Sequence, residues 1–112
     1  DRRQRQMCIR DRYKELASDV RTKEGSAAAY YVLEDVFAGG DMDKAEKAIF
    51  AYSEREPQAY WLAKAFILLG DVYVRKGDNF QARATYQSVA DGYSPADDGI
   101  VAEAKERIAK LN

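Results

Sequence analysis

The chain has 112 residues, a formal net charge of −1, no histidine and a single cysteine. This length fits one domain at most, and 46% hydrophobic residues with only two prolines favour a folded, helix-rich chain over a disordered one. The absence of histidine removes the most common general base, and no apolar run approaches the ~20 residues that a membrane-spanning helix needs.

The chain opens with an arginine-rich stretch, DRRQRQMCIRDR, in residues 1–12. Such a stretch can be a basic arm that binds nucleic acid or a solvated tail. However, back-translation of residues 2–11 resembles ten consecutive codons of a common transposase-type sequencing adapter. We therefore expect residues 1–12 to be an artefact of a metagenomic assembly, disordered or a helix extension, and the chain to be a fragment of a longer protein.

Without these residues the interpretation of charge and cysteine changes. They contain five arginines, two aspartates and the only cysteine, so the rest of the chain has a net charge of −4 and no thiol. A mildly acidic chain argues against nucleic acid as the partner, because phosphate binding needs a cationic surface.

The remaining sequence predicts helices in residues 26–38, 42–53, 58–76, 79–91 and 98–111, after the end of an earlier helix in residues 13–23. Gly40 and Gly77 are expected to end helices in the left-handed conformation. Asp41 and Asp78 are then expected to cap the next helices, with Gln81 completing a capping-box-like pair. Both prolines fall in predicted turns, at positions 57 and 95.

The two Gly-Asp pairs mark an internal repeat of 37 residues. The segment FILLGDVY, residues 66–73, resembles the first-helix signature of the tetratricopeptide repeat, W-x-x-L-G-x-x-Y, with Phe66 in the tryptophan place. Ala82 and Tyr86 match the second-helix A-x-x-x-F pattern. The first repeat matches at Ala45, Ile49 and Pro57, and has Leu33 where glycine is usual.

This resemblance implies an all-α fold of antiparallel helical hairpins, stacked as a right-handed solenoid in a domain over residues 13–112. The repeats would span residues 26–59 and 60–96, and the capping helix residues 98–111. Hydrophobicity agrees, because residues 60–74 contain only Lys64 and Asp71 as charged residues and so predict a helix buried between neighbours. Gly70, Ala45 and Ala82 are expected to be small because helices approach closely there.

Little in the sequence indicates catalysis. Asp41-x-Asp43 is similar to the start of a calcium loop, but the further ligands are missing, and helix capping is the simpler interpretation. We expect no catalytic, cofactor-binding or metal-binding residue, and no enzyme activity. Trp61 is interpreted as a packing residue, with an exposed aromatic contact as the alternative.

The resemblance also places a partner-binding surface on the concave face of the array. Aligned with the family, this face would hold Tyr30, Glu34, Phe37, Lys64, Ile67, Asp71 and Arg75, together with Ala27 and Val74. Aromatic and aliphatic members would be anchors and charged members selectors. Alternatively, Tyr30, Phe37 and Ile67 pack against the next hairpin. The Lys/Asn set that binds chaperone C-terminal carboxylates in one subclass of the family is missing from these positions.

The predicted function is a non-enzymatic scaffold that binds a peptide or helix of a protein partner, without cofactor, nucleic acid or membrane insertion. The alternatives are a structural or self-associating repeat segment, with the N-terminal face as the contact, and accessory repeats of a larger envelope protein or enzyme. The last helix is similar to repeats of bacterial cell-envelope proteins, which favours the periplasm or envelope over the cytoplasm.

Overall fold

The structure is a computed structural model that describes residues 20–93 and 98–111. These residues form α1 (Lys23–Ala38), α2 (Met42–Glu54), α3 (Ala59–Arg75), α4 (Asn79–Gly92) and α5 (Ile100–Lys110), with no strand among them. The all-α prediction is confirmed. None of the described helices is both long and apolar enough to cross a bilayer. The predictions for residues 1–12, for residues 13–19 and for Pro95 lie outside the described residues.

The two Gly-Asp turns have the conformation that the sequence predicts. Gly40 and Gly77 have φ angles of 92° and 83°, in the region where a side chain would be strained. Asp41 Oδ1 accepts a hydrogen bond from Lys44 N at 3.1 Å, and Asp78 Oδ1 accepts one from Gln81 N at 3.0 Å. The capping pair is also present, in a variant form, because Gln81 Nε2 donates to the Asp78 carboxylate at 2.8 Å.

Two helix starts differ from the prediction because other residues cap them. Helix α1 begins at Lys23 rather than residue 26, since Thr22 Oγ1 accepts a hydrogen bond from Gly25 N at 2.9 Å. Residues 20–22 form a turn, so the earlier helix predicted over residues 13–23 does not extend to its predicted end. Helix α5 begins two residues late, at Ile100, because Gly99 is left-handed with a φ of 91°. Gly99 is the N-cap residue, and the preceding Asp98 accepts a hydrogen bond from Ile100 N at 3.2 Å through Oδ1.

Helix α3 is the centre of the packing and contacts all four other helices. Eight of its seventeen residues are buried, as predicted for a helix enclosed by neighbours. Lys76, just after α3, pairs with Asp43 and Glu46 in the first turns of α2, which makes α2 antiparallel to α3. Trp61, near the start of α3, packs against α1, with its ring 5.6 Å from that of Tyr30 and 5.7 Å from that of Tyr31. The interpretation of Trp61 as a packing residue is confirmed.

Helices α3 and α4 approach so closely that only glycine fits at their crossing. A Cβ atom on Gly70 would lie 2.2 Å from Tyr86 Cε1, and Tyr86 is 1% exposed, so its ring has little room to move. Ala45 and Ala82 are also fully buried. The prediction of a close helix approach is confirmed at Gly70. At Ala45 and Ala82 the structure shows burial, and the reason for their small size stays a prediction.

Ser26 joins three segments of the chain at the other end of the fold. Its hydroxyl donates to the carbonyl of Val20 and accepts a hydrogen bond from Gln58 N at 3.0 Å. Its own carbonyl accepts from the Tyr52 hydroxyl at 2.8 Å. The start of α1, the end of α2 and the turn before α3 are therefore held together by one fully buried residue.

We expect Gly70→Ala to lower the free energy of unfolding by about 1–3 kcal/mol, because overpacking against Tyr86 outweighs the gain in helix propensity. Gly92→Ala is the matched control, since a Cβ atom there meets nothing within 4 Å. Urea unfolding followed by circular dichroism measures both. Equal stability of the two variants would contradict the close approach of α3 and α4.

We expect Ser26→Ala to cost about 1–3 kcal/mol, because it leaves the buried Val20 carbonyl and Gln58 amide without their partner. Ser88→Ala, which removes an exposed hydroxyl bonded within its own helix, should change stability by less than about 0.5 kcal/mol. The same unfolding experiment tests this pair, and a Ser26 variant as stable as the Ser88 variant would show that the hydroxyl is not a structural link.

Candidate functional site

One face of α1 lies opposite one face of α3. Tyr30, Glu34 and Phe37 follow each other at helical spacing along α1, so their side chains project from the same side. They meet α3 at a cavity of about 360 Å³, whose lining also includes two residues of α5. The full lining is Tyr30, Glu34, Phe37, Lys64, Ile67, Leu68, Asp71, Glu103 and Arg107.

A second cavity, of about 390 Å³, continues the first toward the ends of α3 and α5. The two share Phe37, Asp71 and Arg107, and we refer to them together as the groove. The second cavity is lined by Phe37, Asp71, Val74, Arg75, Tyr86, Arg107, Lys110 and Leu111. The groove thus brings together all seven residues that the sequence predicts for a partner-binding surface; whether they bind a partner stays a prediction.

The apolar members of this set differ in how far a partner could reach them. Tyr30 and Ile67 are 6% and 2% exposed and belong to the hydrophobic core. Tyr30 and Ile67 therefore pack against neighbouring helices, which is the alternative to partner contact that the sequence analysis left open. Phe37 is half-buried and borders both cavities, so it is the apolar side chain of the set with the most accessible surface.

Two cations of the groove lie on aromatic rings. Lys64 Nζ is 5.7 Å from the ring centre of Tyr30 and 5.8 Å from that of Tyr60. The Arg75 guanidinium is 4.8 Å from the ring centre of Phe37. Such contacts attract the cation to the ring face and hold a long side chain in place without neutralising its charge.

Asp71 lies at the floor of the groove in a network with Tyr86 and Arg107. Arg107 Nη1 donates to both of its carboxylate oxygens, at 3.0 and 2.9 Å, and the Tyr86 hydroxyl donates to it as well. Arg107 Nη2 also pairs with Glu103 at 3.1 Å. Burial raises the pKa of Asp71 above its usual value, although the Tyr86 hydrogen bond and the Arg107 charge both act to lower it.

The hydroxyl of Tyr30 faces the acidic part of the groove. Burial raises its pKa well above the usual value, and so do a hydrogen bond to the Glu34 carboxylate and the charges of Glu34, Glu103 and Asp71. Tyr30 is therefore neutral at any physiological pH, and the acidic side chains nearest to its hydroxyl are Glu34, Glu103 and Asp71.

The contribution of α5 was missed by the sequence interpretation, which assigned this helix only a capping role. Glu103, Arg107, Lys110 and Leu111 line the groove. The available signal was the Glu103–Arg107 pair, spaced four residues apart on the predicted helix. It indicates that the two side chains share a face, but not that this face meets Asp71.

Other candidate sites have simpler roles. Asp41 caps α2 and Asp43 pairs with Lys76 at 2.6 Å, so the calcium-like motif serves the helix ends. The described residues contain no cluster of three or more acidic, histidine or cysteine side chains that could hold a metal ion. A recess of about 290 Å³ between α3 and α4 is almost entirely apolar, with Phe66 and Val89 in its lining, and lacks the charged groups that would give it selectivity.

Comparison of the chain with protein-family models, with curated proteins and with solved structures finds no match. The site is therefore interpreted from its own geometry.

The raised pKa of Asp71 predicts how the contribution of this residue to stability changes with pH. The folded state binds this proton more tightly than the unfolded state, so the contribution of Asp71 to stability is greatest below its unfolded pKa, near 3.8, and falls as pH rises through the folded pKa. We expect the stability of the unmodified chain, minus that of Asp71→Asn, to be larger at pH 3 than at pH 7. Urea unfolding at the two pH values measures it.

As a control, the pKa of Asp71 is measured directly, by following the ¹³C chemical shift of its side-chain carboxyl group as a function of pH. Arg107→Leu should raise the pKa of Asp71 further, because it removes a charge that lowers it. A pKa of Asp71 below 3.8 in the unmodified chain would contradict the dominance of burial.

Proposed function

We propose that the chain is part of a tetratricopeptide-like helical array and that it is a non-enzymatic scaffold, which binds a segment of a protein partner in the groove. The single observation that carries the proposal is the convergence of seven residues, chosen from two proposed repeats of the sequence, on two neighbouring cavities that share Phe37, Asp71 and Arg107. A right-handed stack of hairpins would generate such a face from alternate helices.

The arrangement of the helices supports this proposal. Tyr30 of α1 meets Trp61 of α3, and Phe37, two turns further along, meets Arg75 near the end of α3. Helices α1 and α3 therefore run in the same direction, while α2 is antiparallel to both. The groove is bordered by α1, α3 and α5, which are the first helices of the two proposed repeats and the proposed capping helix.

The chemistry of the groove also suits a peptide better than a small metabolite. Its walls combine apolar surface from Phe37, Val74 and Leu111 with both signs of charge, a mixture that pairs with the side chains of a protein segment. Main-chain contacts are not required, since the selecting groups are side chains of rigid helices.

Self-association is the second candidate, and one observation favours it. Tyr31 and Val32, two adjacent large apolar residues of α1, are 46% and 38% exposed. Association through these two residues would depend on protein concentration and would be lost in Val32→Lys, whereas peptide binding in the groove would not. An accessory role in a larger envelope protein or enzyme is compatible with either mode.

The experiment that tests groove binding is an unbiased peptide selection. A library of random twelve-residue peptides is displayed against the chain, and the selected peptides are titrated into ¹⁵N-labelled protein. We expect the largest chemical-shift changes at Glu34, Phe37 and Asp71, and at least a tenfold loss of affinity in Phe37→Ala.

The matched control is Phe80→Ala, which removes a phenylalanine that is 84% exposed and lies outside the groove. It should leave affinity unchanged. Selected peptides that shift the recess between α3 and α4 instead, or that lose affinity only in Phe80→Ala, would overturn the proposal.

A further inference from the structure

The charges of the groove follow a fixed order along α1. Lys64 lies on the ring of Tyr30, and Arg75 lies on the ring of Phe37. Glu34 comes between these two rings on the same face of α1, and Glu103 of α5 faces it across the cavity. From one end to the other, the groove therefore presents a positive, a negative and again a positive group.

The spacing of these groups can be estimated from helix geometry. The two contacted rings, Tyr30 and Phe37, are seven residues apart on α1, and the cations themselves, Lys64 and Arg75, are eleven residues apart on α3, so the two positive groups are separated by roughly 10–16 Å along the axis. Residues i, i+2 and i+4 of an extended peptide project from the same side and span about 13 Å. Long side chains accommodate the difference, so three alternate residues of one extended segment match the three groups.

The network on the groove floor decides which charges remain for a partner. Arg107 is held by Asp71 and Glu103, and the half-buried carboxylate of Asp71 accepts hydrogen bonds from both Arg107 and Tyr86. No ion pair joins Lys64, Glu34 or Arg75 to another residue within the described ranges, 20–93 and 98–111. Of the charges that α1 and α3 contribute to the groove, these three are therefore the ones without an ion-pair partner in the described part of the chain, and a bound segment can neutralise them.

We propose that the groove selects an extended peptide with the pattern acid-x-base-x-acid, whose acidic side chains meet Lys64 and Arg75 and whose basic side chain meets Glu34. This inference rests on the proposed function and specifies its ligand.

The test uses two short peptides, acetylated and amidated so that their termini carry no charge. One has the core Asp-Ala-Lys-Ala-Glu, and the other reverses every sign, Lys-Ala-Glu-Ala-Lys. Both are titrated into ¹⁵N-labelled chain at low salt. We expect at least tenfold tighter binding of the first peptide, with shifts centred on Glu34 and Phe37, and a loss of most of this preference at high salt.

A charge-reversal variant gives the second measurement. Lys64→Glu combined with Arg75→Glu should abolish the preference for the first peptide or invert it. Lys47→Glu combined with Lys105→Glu changes the net charge equally at exposed positions outside the groove, and should retain the preference.

The outcomes separate this inference from the proposed function. If both peptides shift groove residues with equal affinity, or if the control variant loses the preference as fully as the groove variant, the charge pattern is wrong and groove binding stands. If neither these peptides nor any library peptide shifts groove residues, both proposals are overturned.

Discussion

The close contact of Gly70 with the Tyr86 ring is the constraint on which the rest of the structure depends. It sets how near α4 lies to α3, and α3 is the helix that contacts every other one. Because Tyr86 is clamped at this crossing, its hydroxyl reaches Asp71 on the groove side of α3. Asp71 in turn fixes Arg107 and hence the position of α5. A packing requirement on one side of α3 therefore determines where the polar groups lie on the other.

This arrangement explains how a nearly uncharged helix can contribute to a charged groove. Helix α3 has only Lys64, Asp71 and, at its end, Arg75 as charged residues, and all three face α1 or α5. Burial makes the carboxylate of Asp71 costly, as its raised pKa reflects, and the Tyr86 and Arg107 contacts offset part of that cost. A half-buried ion pair of this kind is weak evidence for stability, but it connects α5 directly to α3.

Much of the fold could be predicted from the sequence because its signals are local. Gly40 and Gly77 with the following aspartates determine helix ends through backbone conformation and capping, and both depend on neighbours within a few residues. The two helix starts that were placed wrongly are set by the N-cap residues Thr22 and Gly99. Nearby residues have a similar propensity for the N-cap position, so the sequence alone does not single these two out. The seven predicted residues that line the groove could be named because the resemblance to a helical-repeat family implies which positions share a face. The role of each residue could not, since whether Tyr30 is an anchor or part of the core depends on how deeply the neighbouring helix covers it.

The residues of α5 that line the groove could not be predicted from the sequence. The reason lies in the packing of α5 on α4, which in turn crosses α3 at Gly70. The sequence shows Glu103 and Arg107 on one face of a helix with a second, apolar face containing Ile100 and Ala104. The Glu103–Arg107 pair could equally have been exposed to solvent, as the Glu106–Lys110 pair of the same helix is. Burial of Ile100 and Ala104 against α4 rotates Arg107 toward Asp71, and that rotation depends on a distance between helices that no local pattern encodes. Arg107 is consequently held within the structure by Asp71 and Glu103, so its charge is balanced inside the fold.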